Sequence, residues 1–212
     1  MLDKSIAYKN VIMRLDSSKF TEDEPELPDG CSFRFFTPSD VKHWSRIETS
    51  VLEFDSESDA ENYFEMSYLP HIRELKERCL FVLNPDKTPV ATTTAWYADS
   101  ELGRQASIHW VAVCPEYQGK GLGKAIVKKA IRVFQLLEAG NPIWLHTQTW
   151  SHVAIRLYHS LGFNIVRSGA LANMNTRDGK PKLSKTEFAG AFEVLKAVMD
   201  DAYIRELQNT AV

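Results

Sequence analysis

Residues 108–124 read IHWVAVCPEYQGKGLGK. Ile108–Val113 is a run of apolar and β-branched residues, long enough for a buried strand. Cys114-Pro115-Glu116-Tyr117 stops it, because Pro115 has no N–H to give a ladder. Gln118-Gly119-Lys120-Gly121-Leu122-Gly123 then opens a segment of helical period, with Leu122, Ala125, Ile126, Val133 and Leu137 on its apolar stripe. The order is strand, glycine loop, helix N-terminus. Such a loop is a ready anion site: first-turn N–H groups point outward, the helix dipole favours negative charge, and glycine lets a ligand come close. Lys120 and Lys124 add positive charge.

The spacing of the glycines selects among anions. A phosphate loop of the form G-x-x-x-x-G-K-[ST] would put its first glycine on Gln118 and its hydroxyl on Ala125, so nothing is placed to hold Mg²⁺. A dinucleotide fingerprint, G-x-G-x-x-G, puts Lys124 or Ile126 where its last glycine belongs. Gln118, Gly121 and Gly123 instead give Q-x-x-G-x-G, preceded by V-A-V-x-P. This resembles the pyrophosphate-binding motif of the GNAT superfamily of acetyl-CoA-dependent N-acetyltransferases. A second stretch, WLHTQTWSHVAIRLYHSLGFNIV over residues 144–166, resembles the N-x-x-A-x-x-L-Y-x-x-x-G-F pattern of the same family. Ala154, Leu157, Tyr158, Gly162 and Phe163 match it, and Ser151 stands where the family usually has Asn. That stretch reads as a strand over 143–149, a helix capped by Ser151, and another strand entered through Gly162.

The chain has 212 residues, 44% hydrophobic and 25% charged, ordinary for one globular domain with extensions. A net charge of −3 gives no reason to expect nucleic acid or an anionic membrane as partner. No run approaches the ~18–20 apolar residues of a membrane span, and the N-terminus has no apolar leader segment. Cys31, Cys79 and Cys114 are odd in number and far apart, which suits a reducing, cytoplasmic setting.

In chain order, 6–15 reads as a strand with neither face cleanly polar, and Thr21–Gly30 as an acidic, proline-bearing linker. Residues 31–36 make a short first core strand. Thr37-Pro38-Ser39-Asp40 starts a helix striped by Val41, Trp44 and Ile47. Ser58-Asp59-Ala60-Glu61 reads as a capping box for a second helix, which Pro70 interrupts before it resumes over 71–78. Residues 80–83 and 90–97 are two strands joined by a turn at 84–87. Residues 168–182 read as loop, with a turn at Asp178-Gly179, and Ser184-Lys185-Thr186-Glu187 as a capping box for one amphipathic helix to Leu207. The expected division is an extension and linker (1–30), a GNAT-like domain (31–183) and a C-terminal helix (184–212) that could pack on the core or pair with a second subunit as a homodimer.

The fold class implied is α/β: a largely antiparallel mixed sheet whose central strand and its parallel neighbour splay apart. The resemblance further implies acetyl-CoA as cosubstrate, no metal, and direct attack of an acceptor amine on the thioester. Gln118, Gly119, Lys120, Gly121, Leu122, Gly123 and Lys124 would hold the pyrophosphate. Main-chain groups of Val111, Ala112 and Val113, with Ser151, would hold the pantetheine arm. Tyr158 matches the family's general acid. The base often stands at the position of Ser107, and serine cannot act as one. His109, two residues on, is the first alternative, sharing a face with Ser107 and Val111 by simple alternation. His146, Glu48 and Glu53 follow. Competing expectations are a non-catalytic acyl-CoA sensor on the same fold and a nucleotide-binding domain.

Overall fold

The computed structural model describes every residue except Met1, Glu22, Ala139 and residues 174–181. Its elements in order are β1 (Asn10–Leu15), β2 (Ser32–Phe35), α1 (Val41–Ser50), α2 (Glu57–Ser67), α3 (Ile72–Arg78), β3 (Cys79–Leu83), β4 (Pro89–Ser100), β5 (Gly103–Val113), α4 (Leu122–Leu137), β6 (Ile143–Gln148), α5 (His152–Ser160), β7 (Asn164–Ile165), β8 (Ala170–Asn173), β9 (Lys182–Lys185), α6 (Phe188–Leu195) and α7 (Asp201–Thr210). The sheet runs β2-β3-β4-β5-β6-β1-β7, with the β8–β9 hairpin joined to β4 through β8. Every pairing is antiparallel except β5 with β6.

Two apolar layers cover the sheet. One lies under α4, α5, α6 and α7 and includes Ile126, Phe134, Phe163, Phe192 and Leu207. The other lies under α1 to α3 and is aromatic. Trp44 sits at its centre, 4.9 Å from Phe64, 5.7 Å from Phe54 and 5.7 Å from Trp110 between ring centroids. Such ring pairs each contribute about 0.5–1.5 kcal/mol beyond the area they bury.

Several sequence expectations are corrected here. The strand expected over 6–15 is present as β1, but it lies inside the sheet, paired along its whole length with β6 and at two positions with β7. Val11, Ile12 and Met13 are each fully buried, so both faces are covered and no polar alternation is possible. The second helix starts two residues before the expected box: Ser56, not Ser58, accepts the Asp59 N–H at 3.1 Å. Ser184 lies in β9 opposite Leu171 and caps nothing. Glu187 turns instead to the Asn10 N–H at 2.9 Å and Lys9 Nζ at 3.0 Å, tying the start of α6 to β1. The single C-terminal helix is two, because Asp200 is extended and caps α7 by accepting the Tyr203 N–H at 2.8 Å. The turn expected at Asp178-Gly179 lies outside the described residues. Among the described residues no helix is long and apolar enough to cross a membrane.

Two irregularities shape the middle of the sheet. β5 and β6 pair only at Ala106–Ile143, Ser107–Trp144 and Ile108–Leu145, then separate. On its other edge β5 carries a bulge: Thr94 faces His109 but Thr92 faces Ala112, one residue too many on β5. Trp110 absorbs it at φ 55°. The extra residue breaks simple alternation. Trp110 and Ala112 pack on the aromatic layer and Val111 and Val113 on the other. His109 also turns to the aromatic layer, where it meets Tyr68, so Val111 does not share its face as expected.

Candidate active site

A cavity of about 340 Å³ opens where β5 and β6 separate. It is lined by Val111, Ala112 and Val113 of β5, by Gln118, Gly119, Gly121, Leu122, Gly123 and Lys124 of the glycine loop and α4, and by Ser151 and Tyr158. These are all of the expected site residues except Lys120 and His109. Glu53, Leu2 and Val51 complete one side. Lys120 bends back, donating to the Glu116 carbonyl at 3.0 Å with its ammonium 4.8 Å from the Tyr117 ring centroid.

The loop's backbone explains its glycines. Gly119 and Gly121 have φ 74° and 83°, the left-handed region where a side chain is strained. A Cβ on Gly121 would meet no atom within 4 Å, so the space above it is open. Gly123 differs: its Cβ would stand 3.2 Å from Leu157 Cδ1, so its small size serves the packing of α4 on α5. The Ala125 N–H closes the first helical bond to the Gly121 carbonyl at 3.0 Å. The N–H groups of Leu122, Gly123 and Lys124, one step earlier, therefore have no partner within the helix. Gln118 pins the loop to the strand by donating to the Val113 carbonyl at 2.9 Å.

The strand offers groups of its own. The Cys114 N–H bonds the Val90 carbonyl at 2.9 Å, on the β4 side. With a period of two, the N–H groups of Val113 and Val111 point the other way, into the gap left by β6. Ser151 stands at the start of α5 with φ −97° and ψ 37°, and makes no cap bond. A short 3₁₀ turn over Thr149–Ser151 leads directly into the helix, so Ser151 never takes the extended geometry that capping needs. Its hydroxyl accepts from Gln148 Nε2 at 3.3 Å and is available at the cavity wall. An open left-handed glycine cradle, a helix N-terminus and an unpaired strand edge together fit a phosphate-bearing ligand with an amide arm.

A profile of the acetyltransferase (GNAT) family matches residues 40–163. The chain belongs to that family. Its fold also resembles the GCN5-related N-acetyltransferase of Sphaerobacter thermophilus, at a TM-score of 0.60 and 20% identity, over 76% of this chain and 49% of that one. A GNAT-family acetyltransferase of Colwellia psychrerythraea gives a TM-score of 0.55 at 11% identity, over 75% of this chain and 54% of that one. Among named relatives, the ribosomal protein bS18-alanine N-acetyltransferase of Escherichia coli K12 is 37% identical over 60 residues, 28% of this chain and 40% of that protein. The N-alpha-acetyltransferase RimI of Mycobacterium tuberculosis is 29% identical over 79 residues, 35% of this chain and 48% of that protein. The matches thus span less than half the length of these relatives.

Within this GNAT chain the titratable groups divide by location. Tyr158 is 7% exposed, and burial pushes its hydroxyl up, with Glu53 and Glu48 next in effect. Glu53 reaches the cavity, and its carboxyl is raised by crowding from neighbouring atoms although Lys4 and Gln148 oppose the shift. Glu48 is fully enclosed, its Oε1 has no hydrogen-bond partner among the described residues, and burial drives it well above the carboxylate range. His109 is pushed down to about 4, first by burial and then by His146. Its Nδ1 lies 3.0 Å from the Tyr68 hydroxyl. His146 is placed away from the cavity lining, with Nε2 2.8 Å from Asn10 Oδ1. Glu53 reaches the cavity through a left-handed Leu52, which the sequence does not mark with glycine, and Leu2 carries no sequence signal.

Proposed function

We propose that this GNAT chain moves the acetyl group of acetyl-CoA to a primary amine, by direct attack of the amine, on a small-molecule or peptidic acceptor. The observation that carries this reading is one cavity walled by a helix N-terminus, an unpaired strand edge and Tyr158. Acetyl-CoA supplies the activated acetyl thioester. The N–H groups of Leu122, Gly123 and Lys124 would hold its pyrophosphate, supported by the α4 dipole. Val111 and Val113 would bond the amide arm from the strand edge. The Val111 N–H would also meet negative charge gained by the carbonyl oxygen, a contribution on the order of 3 kcal/mol in such sites. Tyr158 Oη would give its proton to the departing sulfur.

The named relatives act on a ribosomal protein's alanine and on N-alpha positions, so peptides with free N-termini head the acceptor panel. The experiment is thiol release from acetyl-CoA over alkyl amines, amino acids and such peptides, beside calorimetric titration with acetyl-CoA, CoA and ATP. Amine-dependent release is expected. Tight acetyl-CoA binding without release by any amine would instead make the chain an acyl-CoA sensor. Preference for ATP would overturn the reading.

A further inference from the structure

We propose that Glu53 binds the acceptor as its ammonium ion and removes the proton that must leave before attack. The inference rests on the N-acetyltransferase reading above and names the acceptor class of the same site.

The backbone that presents Glu53 is built for it. Helix α1 ends with the Leu52 N–H on the Thr49 carbonyl at 3.0 Å and the Glu53 N–H on the Glu48 carbonyl at 3.2 Å. That double closure needs a left-handed residue between helix and exit, commonly glycine. Here it is Leu52, at φ 70°. Leu52 is 48% exposed, so packing of its side chain does not account for the strained geometry. The turn delivers the next residue, Glu53, to a cavity that also holds Tyr158.

The surroundings favour a cation. The turn lies at the C-terminal end of α1, where unpaired carbonyls and the helix dipole attract positive charge. An ammonium already docks there: Lys4 Nζ donates to the Leu52 carbonyl at 3.3 Å. The charged and titratable groups that face Glu53 are Lys4, Tyr8, Glu48 and Tyr158, with Gln148 as a hydrogen-bond donor. Among the described residues only Lys4 is positive there, and its ammonium is already engaged on a carbonyl. Other candidates for the proton are placed worse. Ser107 is buried and has no basic group. His109 is absent from the cavity wall and has its Nδ1 on Tyr68.

The step balances simply. An N–H bond of the ammonium breaks, its electron pair stays on nitrogen as the attacking lone pair, and the proton forms an O–H bond on Glu53. Carboxylate and ammonium become acid and amine, so no net charge is added to the cavity. Glu53 is open enough to solvent to release the proton afterwards.

The test compares two nucleophiles with acetyl-CoA: a short peptide with a free N-terminal alanine, and aniline, which is a neutral amine rather than an ammonium at neutral pH. E53Q should lower kcat/KM for the peptide by about 10²-fold or more and erase the acidic limb of its pH profile. With aniline it should stay within about threefold of wild type. Glu57→Gln, an exposed acid four residues on, should change neither. Equal losses with both nucleophiles, or a peptide rate within about threefold with the acidic limb kept, would overturn the assignment. A titration of n-butylammonium into CoA-saturated protein reads the binding half without turnover. E53Q should weaken it about tenfold, and unchanged affinity, or no binding by wild type, would refute the ammonium site. If butylammonium binds through Glu53 yet no amine is acetylated, the transfer reading fails and the cation site stands.

Discussion

The Tyr68 hydroxyl lies 3.0 Å from Nδ1 of His109, joining the end of α2 to the bulge of β5. Tyr68 is fully buried, and its ring is 6.5 Å from Trp44 and 5.2 Å from Trp96. An imidazole in such a place is held neutral, which is the physical content of a pKa pushed down to about 4. A ring so weakly basic does not compete for an amine's proton at neutral pH. Its effect is on stability.

That effect has a definite sign. Unfolded histidine titrates near about 6.5 and the folded ring near about 4. Above about 6.5 both states are neutral at this position. As pH falls through the window between the two values, the unfolded chain takes up a proton that the folded ring refuses, and stability is lost. Over the whole window this amounts to about 3 kcal/mol. His109→Gln should therefore lose less stability than wild type between pH 7.5 and about pH 4. Urea unfolding of both proteins at the two pH values measures it; parallel losses would show that the folded protein does not hold the His109 ring neutral.

Leu52 offers a gain. A non-glycine residue in the left-handed region costs about 1–2 kcal/mol, against about 0.5–1 kcal/mol of backbone entropy that glycine adds to the unfolded chain. The side chain is half exposed and little packing is at stake. Leu52→Gly should stabilise by about 0.5–1 kcal/mol and raise Tm by a few degrees. A lower Tm would mean that the leucine side chain, not the turn, holds this corner.

Residues 108–124 and 144–166 were legible because each combines a period change with residues that only one arrangement accommodates. The glycine loop, α4 and α5 follow from them, and the splayed pair is what the family resemblance they carry implies. What could not be read has particular causes. β1 is expected as a strand, but it is buried on both faces, and nothing in its sequence says that it lies inside the sheet rather than in an extension. β8 pairs with β4 at Asp99–Ala172, a long-range contact that a strand of four residues, Ala-Leu-Ala-Asn, is too short to advertise. The bulge depends on Trp110 at φ 55°, and a tryptophan gives no sign of a left-handed backbone. Simple alternation therefore put Val111 on the wrong face. Glu53 reaches the cavity through Leu52, again a left-handed position without a glycine.

Gly121 tests the loop. Its φ of 83° makes any side chain strained, while the space beyond its Cα is open. Gly121→Ala should weaken acetyl-CoA by about tenfold, or 1.4 kcal/mol. Gly103→Ala separates backbone strain from ligand contact. Gly103 has a φ of 85° and equally open space, but sits in the β4–β5 hairpin. It should cost similar stability with unchanged affinity. Equal acetyl-CoA affinity in wild type and a folded Gly121→Ala protein would remove the loop from the binding site.

Tyr158→Phe tests the proton donor. A departing thiol has a pKa of about 8.5 in water and an ordinary phenol about 10, so transfer from tyrosine to thiolate looks uphill. Burial alters that comparison. The enclosed Cys79 thiol of this same chain is pushed up to about 12, first by desolvation. A thiolate forming within the cavity is raised by the same cause and becomes a much stronger base. Tyr158 is raised too, so it keeps its proton throughout the working pH range and remains a donor. Removing its oxygen keeps the ring and its 6.1 Å contact with Phe163, so stability should change by no more than about 1 kcal/mol. Acetyl-CoA should bind as before, while kcat falls by roughly 10²-fold or more. A tyrosine that only packs predicts the reverse, a lower Tm with nearly normal turnover. Both are measured on one mutant, and a kcat within about threefold of wild type, under about 1 kcal/mol in the barrier, would end the general-acid role.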